Sequence, residues 1–137
     1  MAAPTAVQTL EVRSTTRVEA IDITALVRAA VRKAGVEAGL CCVFCPHTTA
    51  AITIQENADP DVKSDLNGHL ARLVPRDAGF AHAEGNSDAH IKSSLIGASA
   101  TVIIDGGRLL LGHWQAIFFC EFDGPRDRRV QVKVIPG

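Results

Sequence analysis

At 137 residues, 47% of them apolar, the chain is long enough for one domain with a buried core, and no apolar run nears the ~20 residues of a membrane helix. A formal net charge of -1 argues against a nucleic-acid binder, whose affinity comes from a basic face; the one basic cluster is local, Arg126, Arg128 and Arg129. Met1–Thr5 lacks the basic and apolar regions of a secretory signal, so the expected setting is the cytoplasm, with neither nucleic acid nor membrane as partner.

Residues 1–6 read as a loose end, followed by a weakly alternating strand over Val7–Ser14 and a short one over Arg17–Ile21. Ile23, Leu26, Val27, Ala30, Val31 and Ala34 recur at helical spacing and predict a first helix over 23–34. Asp22 or Thr24 caps its start, Arg32 and Lys33 suit its last turn, and Gly35 suits its left-handed exit. Leu40–Cys45 is a nearly continuous apolar strand stopped by Pro46, and Ala50–Gln55 resumes the β pattern. Between them a Pro46-His47-Thr48-Thr49 corner holds a histidine at a sheet edge.

Asp59-Pro60-Asp61 is a strong helix start, with the cap, the proline and the first-turn acid each in its preferred place. That helix runs to about Val74 with a stripe of Val62, Leu66, Leu70 and Leu73; Asp65 at its margin can reach a buried site. Residues 75–90 are polar, rich in Gly, Asn, Ser and Asp, and lead to a short helix capped by Asn86 or Ser87 and ended by Gly97. Strands follow at Ala98–Ile104, Arg108–Leu111, His113–Phe122 and Arg129–Ile135, joined by Asp105-Gly106-Gly107 and Asp123-Gly124-Pro125 turns. In the third, Trp114, Ala116, Phe118 and Cys120 face one way, and Gln115, Ile117, Phe119 and Glu121 the other. Strands that follow strands through tight turns make an α+β fold, a largely antiparallel β-sandwich with two to three helices in a single domain over 1–137.

Cys42-Val43-Phe44-Cys45 matches C-x-x-C, but within a strand positions i and i+3 face apart, so the sulfurs diverge. The four cysteines read as buried free thiols in a reducing compartment. Chemistry concentrates instead in the His82–His90 loop and the Pro46–Thr49 corner, which carry three of the five histidines. Three histidines with an open fourth position suit a catalytic zinc. The eight-residue step from His82 to His90 matches no metal motif, however, so spacing alone favours reading His82 as a solvated loop residue and His47 as a satisfied corner histidine. His69 and His113 read as an interface and a strand-edge histidine.

Glu121 lies among Phe118, Phe119, Cys120 and Phe122. Buried there, a carboxylate needs a cation, a donor or a raised pKa; at a strand end it is simply wet. Gln115 shares its strand face. Arg126, Arg128 and Arg129 can hold a phosphate or stand as surface charges. Neither nucleotide-binding glycine motif is present, and there is no G-x-S-x-G elbow.

Five blocks carry a resemblance: Pro46-His47-Thr48-Thr49-Ala50, Glu56-Asn57-Ala58-Asp59-Pro60, Glu84–Ser94, Leu111-Gly112-His113-Trp114-Gln115 and Cys120–Arg126. In this order they resemble the secondary thiamine-phosphate synthase family over about residues 7–135. The resemblance implies a homotrimer of α+β sandwiches and a cleft near the subunit boundary. His47, His82 and His90 line that cleft, with Trp114, Gln115 and Glu121 near it. It implies zinc at the histidines in some members, and condensation of hydroxymethylpyrimidine diphosphate with thiazole phosphate. In that reaction Mg2+ neutralises the leaving diphosphate, Arg126 assists and a histidine moves the proton. Thr48, Thr49, Glu56, Asn57, Asn86 and Ser93, within the matching blocks, are the further ligand-binding candidates. The sequence departs at His113, where members more often carry Thr.

Two other readings stand beside this one. In one, zinc on the three histidines activates a water, Glu121 or Glu84 acts as base, and a different phosphorylated small molecule is hydrolysed or eliminated. In the other, the chain is a trimeric ligand-binding module without turnover.

Overall fold

A computed structural model gives the fold, and the structure describes residues 5–137. Its strands are β1 (Gln8–Arg13), β2 (Glu19–Asp22), β3 (Gly39–Phe44), β4 (Ala50–Glu56), β5 (Ser99–Asp105), β6 (Arg108–Leu109), β7 (Gln115–Glu121) and β8 (Asp127–Pro136). Its helices are α1 (Thr24–Ala34), α2 (Pro60–Leu73) and α3 (Ser87–Ile96). Most bounds fall within two residues of those the sequence predicts. The expectation for residues 1–4 lies outside the described residues.

All strand pairs are antiparallel. They form a five-stranded sheet ordered β1-β8-β3-β5-β6 and a three-stranded sheet ordered β2-β7-β4. The main core lies between the sheets, where Val43, Val130 and Val132 meet Ile52, Ile117 and Phe119, and Val27 and Val31 of α1 join them. A second cluster lies on the other face of the small sheet. There Phe118, Cys120 and Phe122 pack with Ala51, Ala89 of α3 and the half-buried Leu70 of α2. β7 is therefore apolar on both faces, as a strand between two packed layers must be.

Local chemistry sets the helix ends. Asp59 caps α2, its Oδ1 accepting from the Asp61 N–H at 2.9 Å, with Pro60 at the first turn. Asp22 Oδ1 accepts from the Thr24 N–H at 2.9 Å at the start of α1, and Gly35 closes that helix at φ 67°. The stripe of α2 is less engaged than its spacing predicts: no α2 residue is buried, and Asp65 is exposed, so it reaches no buried site.

All four cysteines are free, with Cys41, Cys45 and Cys120 buried and Cys42 half-buried on the outer side of β3. Burial pushes the Cys41 thiol up to about 11 and the Cys120 thiol up to about 12. On that outer side Leu40 pairs across the sheet with Ile103 and Ile135, and all three are exposed. Among the described residues no helix is long and apolar enough to cross a membrane.

Candidate functional site

The floor of the site is the end of β7. Strand register sets Glu121 beside Ala50 on one flank and Glu19 on the other. Glu121 is fully buried and ion-paired to Arg128, itself only 6% exposed. Arg128 Nε donates to Glu121 Oε1 at 2.9 Å, and Nη2 donates to Oε2 and to Thr49 Oγ1. The Ser14 hydroxyl donates to Oε1 at 2.6 Å, and the backbone N–H groups of Phe122 and Asp123 donate to Oε2 at 3.1 Å. Burial pushes this carboxyl up, but hydrogen bonds from Arg128, Ser14 and the Asp123 N–H more than offset it and hold it below the usual range. Glu121 thus has the cation and donors that burial demands, and it is neither wet nor a neutral acid.

The turn after β7 forms one wall. The Gly124–Pro125 peptide is cis, and Gly124 lies against Thr16 and Ser14. A Cβ there would fall 2.5 Å from Ser14 Oγ, so only glycine lets the turn sit so close. Asp123 in this turn accepts from Arg126 Nη2 at 3.0 Å and from Asn86 Nδ2 at 2.9 Å. Burial raises the Asp123 carboxyl, and these two bonds bring it below its ordinary value.

The opposite wall is the start of α3. Ser93 pins the helix to the small sheet, its hydroxyl donating to the Ala50 carbonyl at 2.7 Å. Asp88 is fully buried; Arg17 donates to both of its oxygens, at 3.2 and 3.1 Å, and Lys92 Nζ lies 3.5 Å away. Burial raises the Asp88 carboxyl, while the Arg17 bonds and charge and the Lys92 charge bring it below the ordinary value. Arg17 Nε also comes within 3.9 Å of Asp123, so one guanidinium ties both walls together.

Between the walls lies a pocket of about 330 Å³ lined by Pro46, His47, Thr48, Thr49, Glu84, Asn86, His90, Asp123, Arg126 and Arg128. Of the candidates read from sequence, it gathers His47, Thr48, Thr49, Asn86, His90 and Arg126 as lining groups, with Glu121 beneath. His82 stands at the rim, edge-on to His90 with ring centroids 5.5 Å apart, and its Nε2 is 3.5 Å from Glu84. Ser93 serves the helix rather than the pocket. Glu56, Asn57, Trp114 and Gln115 are elsewhere: Glu56 pairs with Gln115 at the far end of the β4–β7 ladder. Six residues of extended chain put that end about 20 Å from Glu121. Gln115 there accepts from the Gly112 N–H, Trp114 is exposed against His113, and Asn57 donates to Asp22.

The imidazole of His47 is committed. Its Nε2 accepts from the Arg129 N–H at 2.9 Å, a bond only the neutral ring makes. Burial and the nearby Arg128 charge lower its pKa further. Among the described residues no group of three or more His, Cys, Asp or Glu is arranged to hold a metal ion. The zinc centre expected at His47, His82 and His90 is corrected on this geometry, since His47 spends a ring nitrogen on the backbone and no carboxylate or thiolate completes a set.

Sequence reasoning placed Arg128 with its exposed neighbours. The signal for its burial was present: Arg128 has the same strand parity as Val130, Val132 and Val134, whereas Arg129 does not. Arg17 and Asp88 gave no local sign of their meeting, which spans 71 residues, whereas Asp88 and Lys92 are an i,i+4 pair whose spacing was open to reading.

The fold defines the class, an α+β sandwich, and the matches define the family. A family model described as "UPF0047 protein YjbQ-like" matches residues 8–137, and the chain belongs to this family. It is 52% identical to the UPF0047 protein MJ1081 of Methanocaldococcus jannaschii over 91% of each chain. It is 50% identical to the UPF0047 protein YugU of Bacillus subtilis over 93% of this chain and 98% of the other. The crystal structure of a YjbQ/UPF0047 family protein from Clostridium acetobutylicum superposes with a TM-score of 0.92 at 52% identity, covering 93% of this chain and 99% of that one. None of these names mentions thiamine phosphate, a transferase or zinc. They overturn the resemblance to secondary thiamine-phosphate synthases, and the condensation chemistry that came with it is withdrawn.

Proposed function

We propose that the pocket binds a small phosphorylated metabolite and acts on it by acid–base chemistry of the hydrolase or lyase kind. The observation that carries this is the meeting of two guanidinium groups, two threonine hydroxyls and two imidazoles in one pocket of about 330 Å³. Arg126 and Arg128 are each oriented by a carboxylate, and the Nη1 atom of each makes no hydrogen bond among the described residues. Fixed arginines with free N–H groups suit a tetrahedral anion. His90 is half-buried beside them, its ring free of hydrogen bonds among the described residues, which suits a group that carries a proton. Cysteine nucleophily has little support: the Cys45 sulfur is buried, which raises its thiol pKa. The buried free thiols support a reducing, cytoplasmic setting.

The test is a panel of phosphorylated metabolites, followed by NMR for binding and by phosphate or product release for turnover. A bound ligand should shift the signals of His90, Thr49 and Arg126. His90→Gln should lower turnover by about 10²–10⁴-fold with binding retained. Binding without any turnover would leave a ligand-binding module in place of an enzyme. A turnover rate indifferent to His90→Gln would remove the acid–base role.

A further inference from the structure

We infer that the ligand is a phosphate monoester bearing a free hydroxyl, and that Asn86 reads this hydroxyl. The inference rests on the reading of the pocket as a phosphate site. Asn86 is only 8% exposed and stands at the N-terminus of α3, a helix of 10 residues, yet its side chain makes no capping bond. The reason is Asp123. Asn86 Nδ2 donates to Asp123 Oδ2, and an ionised carboxylate only accepts, so the amide cannot turn over. Its Oδ1 is left buried and, among the described residues, without a partner, on a residue that lines the pocket.

A buried carbonyl oxygen destabilises its surroundings until a donor reaches it. A phosphate dianion offers only acceptors, so it cannot serve. Arg126 and Arg128, whose Nη1 atoms make no hydrogen bond among the described residues, are the donors that an anion wants. The pocket is thus divided into donors for a phosphate and a fixed acceptor for something that donates. A hydroxyl on the same small molecule meets both demands, and the carboxylate of Glu84 at the rim adds a second acceptor.

Calorimetric titration of the intact protein with glycerol 3-phosphate and with n-propyl phosphate isolates the hydroxyls, because the two esters share charge and chain length. Glycerol 3-phosphate is expected to bind at least roughly tenfold more tightly. Asn86→Leu, checked for folding by circular dichroism, should bring that ratio close to unity. Equal affinities for the wild-type protein would overturn the assignment while leaving the phosphate reading intact, a water then filling the place beside Asn86. If neither ester binds and inorganic phosphate leaves the His90 signals unmoved, the phosphate reading fails and this inference fails with it.

Discussion

Replacing Glu121 by leucine would leave the Arg128 guanidinium buried with only Thr49 as a partner, and would take an acceptor from Ser14 and from two backbone N–H groups. Removing one partner of a buried ion pair costs about 3–5 kcal/mol, because the remaining charge is neither solvated nor neutralised. With an unfolding entropy of about 2.1 cal/mol/K per residue over 137 residues, that loss corresponds to a fall in Tm of about 10–17 °C. Urea and thermal unfolding followed by circular dichroism measure both quantities. The double variant Glu121→Leu/Arg128→Met removes both charges and should regain roughly half of the loss or more. A single variant within about 1 kcal/mol of wild type, the range of a surface pair, would refute the reasoning. It would mean that water reaches the pair and that the pocket floor is not fixed by it.

Acid should weaken the fold in two stages. His47 is held below its ordinary value of 6.5, so protonation favours the unfolded chain as the pH falls past that point. Glu121, Asp88 and Asp123 are held below their ordinary values of 4.5 and 3.8, so the stability they supply is complete above those values and is lost as the pH falls through the folded-state pKa values. Urea midpoints that stay level from pH 7 down to pH 3 would contradict both statements. The exposed row of Leu40, Ile103 and Ile135 is the kind of surface that copies of a chain cover in an oligomer. Light scattering should therefore give the wild type a mass of several chains, three on the initial expectation, and Ile103→Lys should lower it. A wild-type mass of a single chain would end the idea.

Strand and helix positions were legible because each follows from a period or a cap: the Asp59-Pro60 start and the Val130, Val132, Val134 alternation are local signals. The site was legible in part. His47, Asn86 and His90 stood out as polar groups bracketed by apolar runs, and Glu121 as a charge in an apolar strand. What the sequence did not reveal was which groups meet. Thr49 and Arg128 touch across 79 residues, and Asn86 and Asp123 across 37, and such pairings follow from sheet register rather than from neighbours in the chain. The same limit explains Trp114 and Gln115. Strand parity placed Gln115 correctly on the face of Glu121, but a shared face does not mean a shared end of the strand.

β7 carries a consequence beyond the site it supports. Phe118 and Phe119 are joined by one peptide bond, yet each belongs to a different packed cluster and shares no cluster neighbours with the other. Adjacent in the chain, they are coupled through the strand they share, so the amount by which the loss on trimming both departs from the sum of the two separate losses measures how strongly that backbone links the two cores. A repacking of one core reaches the other through movement of this strand, whose Glu121 end is fixed by Arg128 and Ser14.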